Sequence, residues 1–220
     1  MRNNRSTIAI WFWLATACTL HGQGTFQNLN FESANVDGFS PGNIPITNAF
    51  PGWTAYIGPT QVQTVGIDSV NIDAAGVFLE SSLSPYYQPL QGNYSAFLQG
   101  SSIFATTASA AIAQTGQIPA TAQSLIYIGI ASGFVTFNGQ SIPLSQIGAG
   151  PNYNIYGGNI LALAGQTGEL RFTIPPLGRM LIDNIQFSDQ PIPEPSAFGL
   201  FGLGALLLGW RFQRKQHGAT

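Results

Sequence analysis

Eight acids (Glu32, Asp37, Asp68, Asp73, Glu80, Glu169, Asp183 and Asp189) and two arginines (Arg171 and Arg179) are the charged side chains of residues 25–192, a formal charge of −6. That stretch has no histidine, cysteine or lysine. A Ser-His-Asp triad, a Cys-His dyad, a Schiff-base lysine and a zinc site built on His or Cys ligands are therefore all excluded. Two kinds of carboxylate chemistry remain. Glycoside hydrolysis needs a pair of acids at a fixed separation, and Asp68 with Asp73 or Glu80 with Glu169 are the candidate pairs. Calcium takes six to eight oxygen ligands, but no Asp-x-Asp-x-Asp loop is present. Aromatic rings offer a third chemistry, because the C–H faces of sugars pack on them. The candidates for glycan contact are Tyr86 and Tyr87, between Pro85 and Pro89, and Tyr153 and Tyr156, in a Gly/Asn-rich stretch. Trp53, the one tryptophan of this segment, follows Pro51-Gly52 at a strand entry and reads as core. The whole chain of 220 residues has a net charge of −2 and gives no basic face for nucleic acid.

The elements that must position these groups read as strands. Apolar or alternating runs bounded by Gly, Pro, Asn and Ser recur, predicting strands near 26–32, 61–66, 76–80, 94–99, 110–115, 124–131, 133–137, 159–163, 168–174 and 180–188. Helical periodicity is weak; its best example, Thr106 to Gln114, is short. Phe134 to Phe137 enters an Asn138-Gly139 tight turn. Leu170, Phe172 and Ile174 alternate with Arg171 and Thr173, which predicts one buried and one open face. The expected architecture is all-β, a single β-sandwich over residues 25–190.

The two ends differ from this middle. Residues 1–24 read as a signal peptide: Arg2 and Arg5 precede an apolar run of thirteen residues, Ile8 to Leu20, too short to span a bilayer. Cleavage after Gly24 or after Ala17 fits the small residues. Cys18, the only cysteine, falls in the apolar run, with lipidation as the alternative. Near the other end, Pro193-Glu194-Pro195 is followed by an uncharged stretch, Ser196 to Phe212, at the low end of bilayer-spanning length. This predicts a transmembrane helix over 196–212. Trp210 suits the membrane interface, and Arg211, Arg214 and Lys215 form a basic stop that keeps the end cytoplasmic.

The Pro-Glu-Pro triplet, the Gly/Leu-rich run and the basic cluster, in that order over residues 191–220, resemble the PEP-CTERM sorting signal of Gram-negative bacteria. The resemblance implies recognition by an exosortase, cleavage near Pro193–Pro195, and passage through a transient membrane anchor to the cell surface or extracellular matrix. Further segments resemble the jelly-roll, carbohydrate-binding-module-like ectodomains found with this signal: Asn28 to Glu32 as a first strand, Pro51-Gly52-Trp53, Gly92 to Leu98, Ala113-Gln114-Thr115, and Leu181 to Phe187 as the closing strand. In such modules the first and last strands often share a structural Ca²⁺. The resemblance therefore implies an ion site at Glu32 and Asp183, with Asn30 beside them, and no other cofactor. Three functions stay open: a non-enzymatic exported surface or matrix protein, a module recognising matrix polysaccharide, and a small carboxylate-dependent glycosidase.

Overall fold

In the computed structural model, which describes residues 24–102, 107–131 and 133–192, the segments of alternating pattern become strands that pair into two sheets. The strands are β1 (Gly42–Pro45), β2 (Thr54–Ile57), β3 (Thr60–Val62), β4 (Thr64–Ile67), β5 (Gly76–Ser81), β6 (Tyr94–Gln99), β7 (Ala110–Gln117), β8 (Ser124–Ile130), β9 (Phe134–Phe137), β10 (Gln140–Ser141), β11 (Ser145–Ala149), β12 (Asn154–Asn159), β13 (Thr167–Ile174) and β14 (Arg179–Ser188). One sheet has eight strands in the order β1-β4-β5-β6-β14-β8-β12-β11, the other six in the order β10-β9-β13-β7-β2-β3. All their pairings are antiparallel except β4 with β5.

The inner faces meet in one core. Strand β13 buries Gly168, Leu170, Phe172 and Ile174 while Glu169, Arg171 and Thr173 stay half-open. Trp53 is buried, donates its indole N–H to the Asn28 carbonyl at 3.1 Å, and packs against Phe31 and Phe172. The β9–β10 hairpin turns at Asn138 and Gly139, both with positive φ, as a two-residue turn between twisted strands requires.

Two expected strands fail for identifiable reasons, and a third, 61–66, is split at Gln63 into β3 and β4 of different sheets. Residues 26–32 are irregular. Asn28 and Phe31 have positive φ, and the Asn28 side chain accepts from the Ser33 N–H, which folds the backbone into turns. Gln27 is tied to β7 by the Gln114 side chain rather than by a ladder, and Leu29 accepts from the Ile185 N–H. At 159–163 the chain ends β12 and makes a 3₁₀ turn, Leu161–Leu163. The short stretch around Thr106 to Gln114 enters β7, with residues 103–106 outside the described set.

The outer face of the eight-stranded sheet is not simply wet. Phe78, Phe97, Leu181 and Ile128 lie across β5, β6, β14 and β8 and form a second buried cluster. The segment between β5 and β6 folds back over them, burying Leu90 and laying Tyr87 on Phe97 at 4.3 Å between ring centroids.

Candidate functional site

The β5–β6 segment builds a cleft where it crosses the sheet. Ser84 is buried and its hydroxyl oxygen accepts from the Tyr86 and Tyr87 N–H groups at 3.2 and 3.3 Å; its carbonyl accepts from the Gln88 amide at 2.8 Å. These bonds fix the backbone that presents the two rings. Tyr87 faces inward onto Phe97, whereas Tyr86 is 55 % exposed. A cleft of about 290 Å³ opens there, lined by Val70, Asn71, Pro85, Tyr86, Tyr87, Gln99 and Arg179. Gln99 and Arg179 are opposite partners on β6 and β14. The Gln99 amide donates to the Asn71 and Ala74 carbonyls, and the Asn71 amide donates to the Ala75 carbonyl. Gln99 is thus buried with its amide committed to the protein, and the exposed Asn71 is the amide residue open to the cleft. A second cleft of about 310 Å³ shares Val70 and Asn71 and runs on toward Gly42, Thr64 and Ser69. Both volumes fall at the low end of small-ligand sites.

Beneath the same segment lies a row of acids. Asp183 is buried. Its Oδ2 accepts from the Gln91 N–H (3.1 Å) and the Ser95 hydroxyl (2.8 Å), and its Oδ1 from the Asn184 N–H (2.6 Å). Ser95 in turn accepts from the Leu90 N–H. Glu32 holds the next residues along: Oε1 accepts from the Asn93 and Tyr94 N–H groups, Oε2 from the Asn93 amide. Gly92 sits between the two clamps at φ +64°, where a Cβ would run into the Glu32 carboxylate. Burial pushes Asp183 up to about 7, opposed by its hydrogen bonds and reinforced by Glu32. Glu80, opposite Ser95 on β5, is fully buried with neither carboxylate oxygen hydrogen-bonded. Burial raises it to about 7, and the Asp68 charge adds to this. Asp68 is itself buried and accepts from the Ser81 N–H and hydroxyl.

Glu32 and Asp183 thus meet on one loop, but that loop turns N–H and O–H donors toward them. A Ca²⁺ shell needs oxygens facing the ion. Among the described residues no three His, Cys, Asp or Glu side chains group so as to hold a metal. The donor set does not fit an ion held by these two carboxylates, and they act on the loop as clamps. Asn30 serves the turn, its Oδ1 accepting from the Glu32 N–H at 3.5 Å.

The other sequence candidates land apart. Tyr156 is buried in the inner core, stacked on Tyr127 at 5.3 Å, so it presents no face to a sugar. Its place on β12 alternates inward, which the Gly/Asn-rich context concealed. Tyr153 is half-buried against the outer cluster and does not line the Tyr86 cleft. Glu80 and Glu169 belong to different sheets, and Glu169 is engaged by Arg171 at 2.8 Å. Asp73 accepts from the Ser102 hydroxyl, away from the Ser81 bonds that hold Asp68. Neither cleft is lined by a carboxylate. Asn71, Gln99 and Arg179 were not identifiable as site residues from sequence. The only signal was that Arg179 is one of two cations in the segment.

Pro193, Glu194, Pro195, Trp210, Arg211, Arg214 and Lys215 lie outside the described residues, as do the signal-peptide stretch 1–23 and the apolar run 196–212. Among the described residues no helix is long and apolar enough to cross a membrane. Residues 191–215 match the model of the PEP-CTERM protein-sorting motif. The chain carries a PEP-CTERM sorting signal. It is accordingly an exosortase-sorted protein, exported and transiently anchored in the membrane before it reaches the cell surface or extracellular space. No curated protein matches the chain. Among solved structures, the enzymatically active domain of tailspike protein 4 of bacteriophage CBA120 is similar at 15 % identity and a TM-score of 0.40, over 76 % of this chain and 21 % of that one. TmCBM61, solved with beta-1,4-galactotriose, is similar at 14 % identity and a TM-score of 0.35, over 77 % of this chain and all of that one. This chain thus spans about a fifth of the tailspike chain.

The matched segment overlaps the described end of the sandwich at Pro191 and Ile192. Gln123 donates to the Asp189 carbonyl, and the Ser124 hydroxyl to the Gln190 carbonyl. The Asn159 side chain bonds both backbone groups of Ile192, at 2.7 and 3.1 Å. The backbone is held to the residue before Pro193.

Proposed function

We propose that residues 25–190 form a non-catalytic surface or extracellular-matrix module that binds polysaccharide through the Tyr86 cleft. The observation that carries this reading is a single cleft combining an open ring, a second ring set beside it, an exposed amide and a guanidinium, beside a loop already fixed by Ser84, Asp183 and Glu32. Rings take the apolar faces of sugars, while amides and guanidinium take their hydroxyls. A loop ordered before the ligand arrives loses little entropy on binding. Hydrolysis would require two acids flanking the bond at roughly 5–10 Å. The absence of carboxylates from both cleft linings supports binding over catalysis.

The test is retention of the full chain, in detergent, on immobilised matrix polysaccharide of the producing cell. Wild type is expected to be retained, and Tyr86→Ala to lose tenfold or more, since stacking on an exposed ring is worth about 1–3 kcal/mol in comparable base-stacking sites. Equal retention of the variant overturns the reading.

The processing that precedes this role has its own check. We propose removal of residues 1–24 and cleavage near Pro193–Pro195. Intact mass of the surface fraction should then give a species from about Thr25 to Pro193–Pro195. A surface species that keeps Trp210 and Lys215 would contradict removal of the tail.

A further inference from the structure

We propose that the Tyr86 cleft selects acidic polysaccharide, with Arg179 pairing the carboxylate of a uronic-acid unit whose ring lies on Tyr86. This rests on the polysaccharide reading above and adds the substrate class. Among the described residues there are two cations in a segment with eight acids. Arg171 is consumed: its guanidinium makes two bonds to Glu169, at 2.8 and 3.2 Å, and lies 4.0 Å over the Tyr56 ring. Arg179 has no ion pair among the described residues, although acids outnumber it. It is exposed at the start of β14, opposite Gln99, and lines the cleft with Tyr86 and Tyr87.

The cleft lining carries no acid to neutralise it, and the nearby carboxylates are engaged elsewhere: Asp183 with Gln91, Ser95 and Asn184, and Asp73 with Ser102. A guanidinium offers a planar fork of donors that matches a carboxylate with two parallel bonds. The side-chain oxygen of the exposed Asn71 would accept from a hydroxyl and repel a carboxylate, which favours the acidic edge of the sugar lying toward Arg179. The net −6 of the segment opposes a polyanion at long range, but this repulsion is screened beyond about 8 Å at physiological salt. The contact pair therefore decides.

The experiment uses the full chain in detergent and the producing cell's matrix polysaccharide, either native or with its carboxyl groups reduced to primary alcohols. Native polysaccharide should retain wild type about tenfold or more better than the reduced form. Arg179→Gln should abolish that preference and retain the residual binding seen on reduced polysaccharide; Arg179→Lys, which keeps charge without the fork, should fall between. Unchanged melting of the Arg179 variants shows that they fold. Equal retention of wild type on native and reduced polysaccharide overturns the acidic selection while leaving polysaccharide binding intact. Failure of wild type to bind the native form overturns the polysaccharide reading and this proposal with it.

Discussion

Asp183→Ala is expected to lower stability by about 2–4 kcal/mol at pH 6 and to release the loop that carries Tyr86 and Tyr87. The variant leaves Gln91 N–H, Ser95 O–H and Asn184 N–H without their acceptor. Each buried donor stranded in this way costs about 1–3 kcal/mol, whereas one that can turn to water costs little. Ser95 is fully buried and Gln91 is exposed, which places the sum in the middle of the range. Glu32→Ala is the useful contrast. Glu32 accepts from Asn93 and Tyr94 near the surface, so its loss should cost about 1 kcal/mol. Denaturant unfolding checks both values, and hydrogen exchange at Gln91 and Leu90 should accelerate in Asp183→Ala well before global unfolding. A change under 0.5 kcal/mol for Asp183→Ala would show that the carboxylate does not hold the loop.

Stability should fall as pH rises from about 4 to 7, with Glu80 and Asp183 as the two sources. The ordinary Glu80 value of 4.5 is raised to about 7 in the fold. The folded state therefore holds the proton more tightly than the unfolded chain. The stabilisation is complete below 4.5, is lost as pH rises through the folded value, and is flat above it. A rise of this size corresponds to about 3 kcal/mol. Asp183, raised from 3.8 to about 7, acts in the same direction. Glu80→Gln should remove the Glu80 share. It should be more stable than wild type by about 2 kcal/mol at pH 8 and less stable by about 1 kcal/mol at pH 4, because the unmet amide donors cost about 1 kcal/mol at both. Melting curves at the two pH values decide it, and parallel pH profiles for variant and wild type would contradict the assignment.

The fold was legible where side-chain period and turn chemistry agree. Leu170, Phe172 and Ile174 marked the inner face of β13, and Asn138-Gly139 marked its neighbouring hairpin. Trp53 read as core from its Pro-Gly entry and is core. Residues 26–32 misled because Asn28 and Phe31 leave the extended region, and nothing in an apolar alternation reports a positive φ at Phe31. Tyr86 was legible as an exposed ring because prolines flank it, whereas Tyr87 turns inward onto Phe97. Their partners were not legible: Arg179, Gln99 and Asn71 come from β14, β6 and the loop before β5, and only the β6–β14 pairing and the fold-back over Phe97 bring them together. The outer cluster itself was invisible, since strands buried on both faces lack the two-residue period that separates inside from outside.

The central claim is that ligand binds at the Tyr86 cleft, and mapping amide and arginine side-chain chemical shifts of the full chain in detergent micelles as matrix polysaccharide fragments are added tests it most directly. Shifts confined to Asn71, Tyr86, Tyr87, Gln99 and Arg179, with Tyr56 and Arg171 on the opposite sheet unmoved, are the result the account predicts. Shifts centred on Tyr56 and Arg171, or none at saturating polysaccharide, would contradict it.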